Sequence, residues 1–204
     1  MDEERKLWLD RLFGERDKEG VDRLMELDEF CAPDNTRFQR LAEVFETPAG
    51  SLARYSDERI AQALWDLSSN VFCDLGRPPG AWDLHIRVFK SFGVLFREFF
   101  AVRCEPALGH MDEGGALNGI CYMWWDLGWY FIPDSDMLAM LRSILAIDHV
   151  ACQESALHGL GHWCKRGNDT SKVEAIIGDY LRRNPKARPE LREYALRART
   201  GMVM

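Results

Sequence analysis

The chain predicts an all-α protein, a stack of helical hairpins closed at its start by a further pair of helices. Three observations carry this reading. Leucine (23) outnumbers valine plus isoleucine (17), and there are four threonines in 204 residues, a balance that favours helix over sheet. Apolar residues recur at helical spacing along most of the chain, with no alternating run long enough for a sheet. The third observation is the stretch Cys152 to Trp163, read as a helix over about 150–165.

At 100° per residue, Ala156, Leu157, Leu160, Trp163 and Cys164 fall within about 60° of one direction, with Gln153 among them. Gly159 and Gly161 lie at the two edges of this arc, about 100° to either side. Each glycine costs a helix about 1 kcal/mol relative to alanine. Close approach of neighbouring helices on both flanks, where a Cβ would collide, explains their presence. Glu154, His158 and His162 share the opposite side at i, i+4 and i+8.

The other elements follow in order. Residues 2–13 form an amphipathic helix with Trp8, Leu9, Leu12 and Phe13 on one side, and 20–31 form another with Val21, Leu24, Leu27 and Phe30. These are the N-terminal cap, residues 1–33 of a single domain 1–204. Phe38, Leu41, Ala42 and Phe45 mark a helix over 36–46, stopped by Thr47-Pro-Ala-Gly50. Ser56-Asp57-Glu58 is a hydroxyl cap with two acids in the first turn, opening a helix over 56–69. The break Gly76-Arg-Pro-Pro-Gly80 precedes a long apolar helix over 82–103. After the loop 106–115 come helices over 116–131, 135–147 and 150–165. Val173, Ile176, Ile177, Tyr180 and Leu181 set the helix 172–183, and Leu191, Tyr194, Ala195 and Ala198 face inward on the last, 189–200. Paired in sequence, these give four hairpins of unequal spacing over 34–204, with a compact α-helical bundle as the alternative.

Asp148, Gln153, Ala156-Leu157 and Gly159-Leu160-Gly161 resemble the second half of a HEAT-type repeat of the short bacterial kind, whose helix reads A-x-x-L-G-x-L-G. Ala63-Leu64-Trp65-Asp66-Leu67 repeats the A-L-x-x-L core. The resemblance implies an α-solenoid that holds a macromolecular partner without a cofactor. In such a stack the second helix of each pair lines the concave face. Glu154, Ser155, His158 and His162 would then form a polar ladder there, with Trp65, Asp66, Trp124, Trp125 and Asp126 contributing from other hairpins. Tryptophan beside a charged residue is a common binding anchor.

Net charge of -7 argues against general nucleic-acid binding and favours a protein partner. Residues 1–29 carry eleven acids and six bases, whereas 180–204 carry seven bases and two acids. These opposite poles suit a charged partner or head-to-tail homo-oligomers. The start, Met1-Asp-Glu-Glu-Arg-Lys, has no apolar core of a secretory leader, and no run approaches the roughly 20 residues of a membrane helix. A cytoplasmic, reduced setting for the six cysteines follows, most of them filling the core. A bacterial immunity or adaptor role fits this profile by type.

The sequence also carries a second function class. His158 and His162 at i, i+4 make half of a zinc signature, pointing to a metal-binding protein or metal-dependent enzyme. Cys152 and Cys164 point elsewhere on the same helix, so a third ligand must come from another element, with His110, Asp112 or Glu113 as the candidates nearest in sequence. No HExxH, Gly-rich phosphate loop or GxSxG elbow is present.

Overall fold

The computed structural model describes residues 3–14, 35–67, 82–126, 132–165 and 170–203, and every regular element among them is helical. The expected helix over 20–31, the 76–80 break, and the ends of the helices expected over 56–69 and 116–131 lie outside these residues. No helix among them is long and apolar enough to cross a membrane. The chain divides into two compact units, Met1–Leu95 and Phe96–Met204.

The first unit contains α1 (Glu3–Phe13), α2 (Asn35–Glu46), the single turn α3 (Pro48–Ser51), α4 (Asp57–Asp66) and α5 (Trp82–Leu95). Its main contact is α2 on α5. Phe38, Leu41, Ala42 and Phe45 are buried, as their spacing predicts, against Val88, Phe89 and Phe92. Phe45 and Phe92 meet at 6.0 Å between ring centroids. At the edge of this pair, Arg87 grips Glu46 with two N–H groups at 2.7 and 2.6 Å. The Ser56 hydroxyl accepts from the Arg59 N–H at 3.3 Å, so α4 begins at the cap the sequence marks. Arg59 Nε also donates to the Gly14 carbonyl at 2.7 Å and Tyr55 donates to Asp10 at 2.9 Å, fastening the end of α1 to the start of α4.

The second unit opens with a π-helical turn, Phe96–Phe100, and then contains α6 (Ala116–Met123) with a 3-10 turn, Trp124–Asp126. After these come α7 (Asp134–Leu145), α8 (Val150–Lys165), α9 (Thr170–Arg183) and α10 (Pro189–Ala198). α8 is the hub. It touches α6, α7, α9, α10, the π turn and the 3-10 turn, and every residue from Ala151 to Gly161 is buried. Trp125 and Leu141 pack against one flank of this helix at Gly159. A Cβ on Gly159 would sit 2.6 Å from Leu141 Cδ2 and 2.8 Å from Trp125 Cγ. One on Gly161 would sit 2.5 Å from Val203 Cγ1. The glycines therefore do admit close neighbours on both flanks, although at Gly161 the neighbour is the C-terminal tail and not a helix. That tail is turned back by a glycine-based helix stop. Gly201 takes φ 73°, with Gly201 N–H on the Ala198 carbonyl and Met202 N–H on the Arg197 carbonyl, both at 3.1 Å.

Candidate functional site

Helical phase puts Glu154, His158 and His162 on one side of α8, as read from the sequence. That side does not face water. Glu154, Ser155 and His158 are buried, and so are Trp124 and Trp125, which correct the expectation of an exposed ladder. The physical reason is that α6 and α10 cover this stripe with polar groups of their own. The Ser155 hydroxyl donates to the Cys121 carbonyl at 2.5 Å and accepts from the Trp125 indole N–H at 3.1 Å. Trp65 and Asp66 belong to the first unit, half-buried on α4, where Gln62 donates to Asp66 at 3.0 Å.

Glu154 is wholly enclosed and fully used. Its carboxylate accepts from the Gly109 N–H at 2.7 Å, from the His110 N–H at 3.1 Å and from the His110 ring. This fixes the loop before α6, whose other end is held by Arg188 in a two-pronged pair with Glu113 at 2.6 and 2.7 Å. His110 then lies on the Tyr194 ring, 4.4 Å between centroids. Glu113 and His110 are therefore committed elsewhere, and the exposed Asp112 is not among the groups that converge on the two histidines.

Asp126 takes that place. His158 Nε2 lies 3.1 Å from Asp126 Oδ1 and 2.9 Å from His162 Nε2, and His162 Nε2 also meets Asp126 Oδ1 directly. Among the described residues this is the one triad of His, Cys, Asp or Glu whose ligand atoms converge. His158 forms the floor, while 27% of the His162 side chain and 23% of that of Asp126 remain open to solvent. Sequence reasoning had named Asp126, but as part of a partner-facing surface. Its only signal was a carboxylate closing an otherwise apolar, tryptophan-rich segment.

Behind the floor stands a pair of phenols. Tyr194 Oη donates to Tyr122 Oη at 3.2 Å and lies 2.6 Å from His158 Nδ1. With its proton turned to Tyr122, the Tyr194 oxygen accepts from Nδ1–H. The His158 ring then carries its proton on Nδ1 and aims a lone pair from Nε2 into the triad. Burial, followed by the Tyr122 hydrogen bond, pushes Tyr194 far above an ordinary phenol, and burial raises Tyr122 too, so both stay protonated.

His158 and Asp126 are each biased toward the form that metals require. Burial holds the basicity of His158 below that of a free histidine, with Asp126 pulling the other way. At Asp126 burial works upward, but the two imidazoles beside its carboxylate outweigh it and keep the carboxyl well below its usual range. A neutral imidazole and a carboxylate are the ligating forms. Around a tetrahedral ion with bonds of roughly 2.0–2.1 Å, neighbouring donors stand about 3.3 Å apart, so an ion would spread all three donors, His162 and Asp126 the most.

A separate chain of thiols lies deeper in the unit. Cys121 lies beside Cys104 and Cys152, and burial drives its thiol well up. Cys121, then His149, draw Cys152 down to about 6 against the effect of burial. No family model matches this chain, and neither does any curated protein or solved structure.

Proposed function

We propose that the protein binds one divalent transition-metal ion at His158, His162 and Asp126, the second function class that the histidine spacing raised. One observation carries the reading: the ligand atoms of two imidazoles and one carboxylate converge, while Tyr194 holds the far nitrogen of the buried ligand. Metal-bound histidines nearly always have such an outer partner, which fixes the tautomer and the ring plane. Two imidazoles and one carboxylate suit zinc, iron(II) or cobalt(II). Three protein ligands on one side, with solvent on the other, leave positions for water or substrate, the arrangement of a catalytic site and not of a closed structural one.

The polar-ladder reading, a scaffold that holds a protein partner on this face, is supported only by the open parts of His162 and Asp126. We propose also that the second unit is a compact bundle wrapped around α8 and not an open HEAT-like stack. The support is the burial of α8 on all sides through Gly161.

Elemental analysis of untagged protein tests the function, with calorimetric zinc titration of the metal-stripped chain. One ion per chain is expected, with D126A and H162A each losing it. Protein that takes up no ion, or variants that load like the wild type, would refute the proposal.

A further inference from the structure

The open side of the triad has a cationic neighbour. Two contacts fix the register of α8 against α10: His158 Nδ1 on Tyr194 Oη, and Cys164 Sγ on the Arg199 carbonyl at 3.8 Å. Six residues forward along α8 correspond to five forward along α10. The two helices therefore run parallel, and Arg197 stands level with His162. Long helical side chains lean toward the N-terminus of their helix. Arg197 does so: its guanidinium carbon lies 5.5 Å from the centre of the Tyr194 ring, over the residue that holds His158. Arg197 is exposed, and among the described residues it meets no carboxylate. Four other arginines of this segment are engaged. Arg182 and Arg183 pair with Asp179 at 3.2 and 3.0 Å, Arg188 with Glu113 and Glu190, and Arg192 caps the carbonyls of Leu181 and Asn184. The basic C-terminal segment is thus largely spent inside the unit, and Arg197 is left beside the triad.

We infer that the metal and Arg197 together form a site for a phosphoryl group, free or as a monoester, with one oxygen on the ion and others on the guanidinium. This rests on the metal reading above. Charge selects the ligand. A divalent ion against the single carboxylate of Asp126 leaves one positive charge, and Arg197 adds a second. A phosphate carries about -1.5 to -2 at neutral pH and balances both, where a carboxylate ligand balances one. The planar fork of arginine also matches two phosphate oxygens at once.

Cobalt(II)-loaded protein gives the test, because its visible spectrum reports changes at the ion. Inorganic phosphate, phenyl phosphate and acetate are titrated into wild type, R197Q and R197K. In the wild type either phosphate probe shifts the spectrum at lower concentration than acetate. R197Q still loads cobalt, and its phosphate affinity falls about tenfold to a hundredfold, the loss of a hydrogen-bonded charge. R197K, which keeps the charge and loses the fork, lies between. Equal phosphate binding by wild type and R197Q, or acetate binding as well as phosphate, would overturn the inference and leave the metal site standing. Failure of the wild type to take up cobalt would remove both.

Discussion

Tyr194 gives the site its direction. Read from sequence it is one more inward residue of the last helix, and its burial agrees with that. What periodicity does not reveal is the hydroxyl on His158, 36 residues away. Y194F keeps the ring and removes the acceptor for Nδ1–H, so the imidazole loses its preferred tautomer. Metal affinity is expected to fall about 10–100-fold, the usual effect of losing such an outer partner. Y180F, which removes the hydroxyl donated to Gln153 at 3.0 Å, serves as the control and leaves affinity unchanged. Competition against a chromogenic chelator reads both. Glu154 acts on structure. E154Q removes the charge from an enclosed group that organises Gly109 and His110, at a cost of about 2 kcal/mol in urea unfolding. Stability equal to the wild type would contradict that role.

At the scale of the element, α8 shows what a sequence pattern can and cannot convey. Its apolar arc, its flanking glycines and its common side for Glu154, His158 and His162 were all legible from 3.6-residue periodicity. The destination of the polar side was not. A polar stripe looks the same whether it meets water or polar groups brought from far along the chain, here Asp126, Tyr122, Tyr194 and the Gly109–His110 backbone. The glycines yield a sharper prediction. Alanine at 161 gains about 1 kcal/mol of helix propensity, and forcing a Cβ into the Val203 side chain costs about 1–3 kcal/mol. G161A is therefore net destabilising, and G161A with V203A recovers stability because the obstruction is gone. If G161A alone is as stable as the wild type, the tail does not press on α8 as described. G159A, facing both Leu141 and Trp125, is the more damaging change.

For the whole molecule, composition conveyed the helical class, because leucine-rich, threonine-poor segments with caps and 3.6 periodicity leave little room for strands. It did not convey the division at Leu95 and Phe96, which falls where one continuous apolar helix was expected. The charge poles were legible as composition only, since most C-terminal arginines are paired within the second unit. Alkaline stability carries a signature of both units. Burial, followed by the hydrogen bond to Asp10, pushes Tyr55 up to about 12, and burial does the same to Tyr180. The folded state therefore keeps these phenols protonated longer than the unfolded chain does. Their contribution is complete below pH 10 and is lost as pH rises toward 12, so thermal midpoints fall across that window. In Y55F and Y180F the fall is shallower. X-ray absorption fine structure on the zinc-loaded chain tests the central claim most directly. The account predicts two imidazoles and a carboxylate oxygen at roughly 2.0–2.1 Å and no sulfur. A sulfur shell near 2.3 Å would place the ion among Cys104, Cys121 and Cys152 instead, and would contradict the assignment to His158, His162 and Asp126.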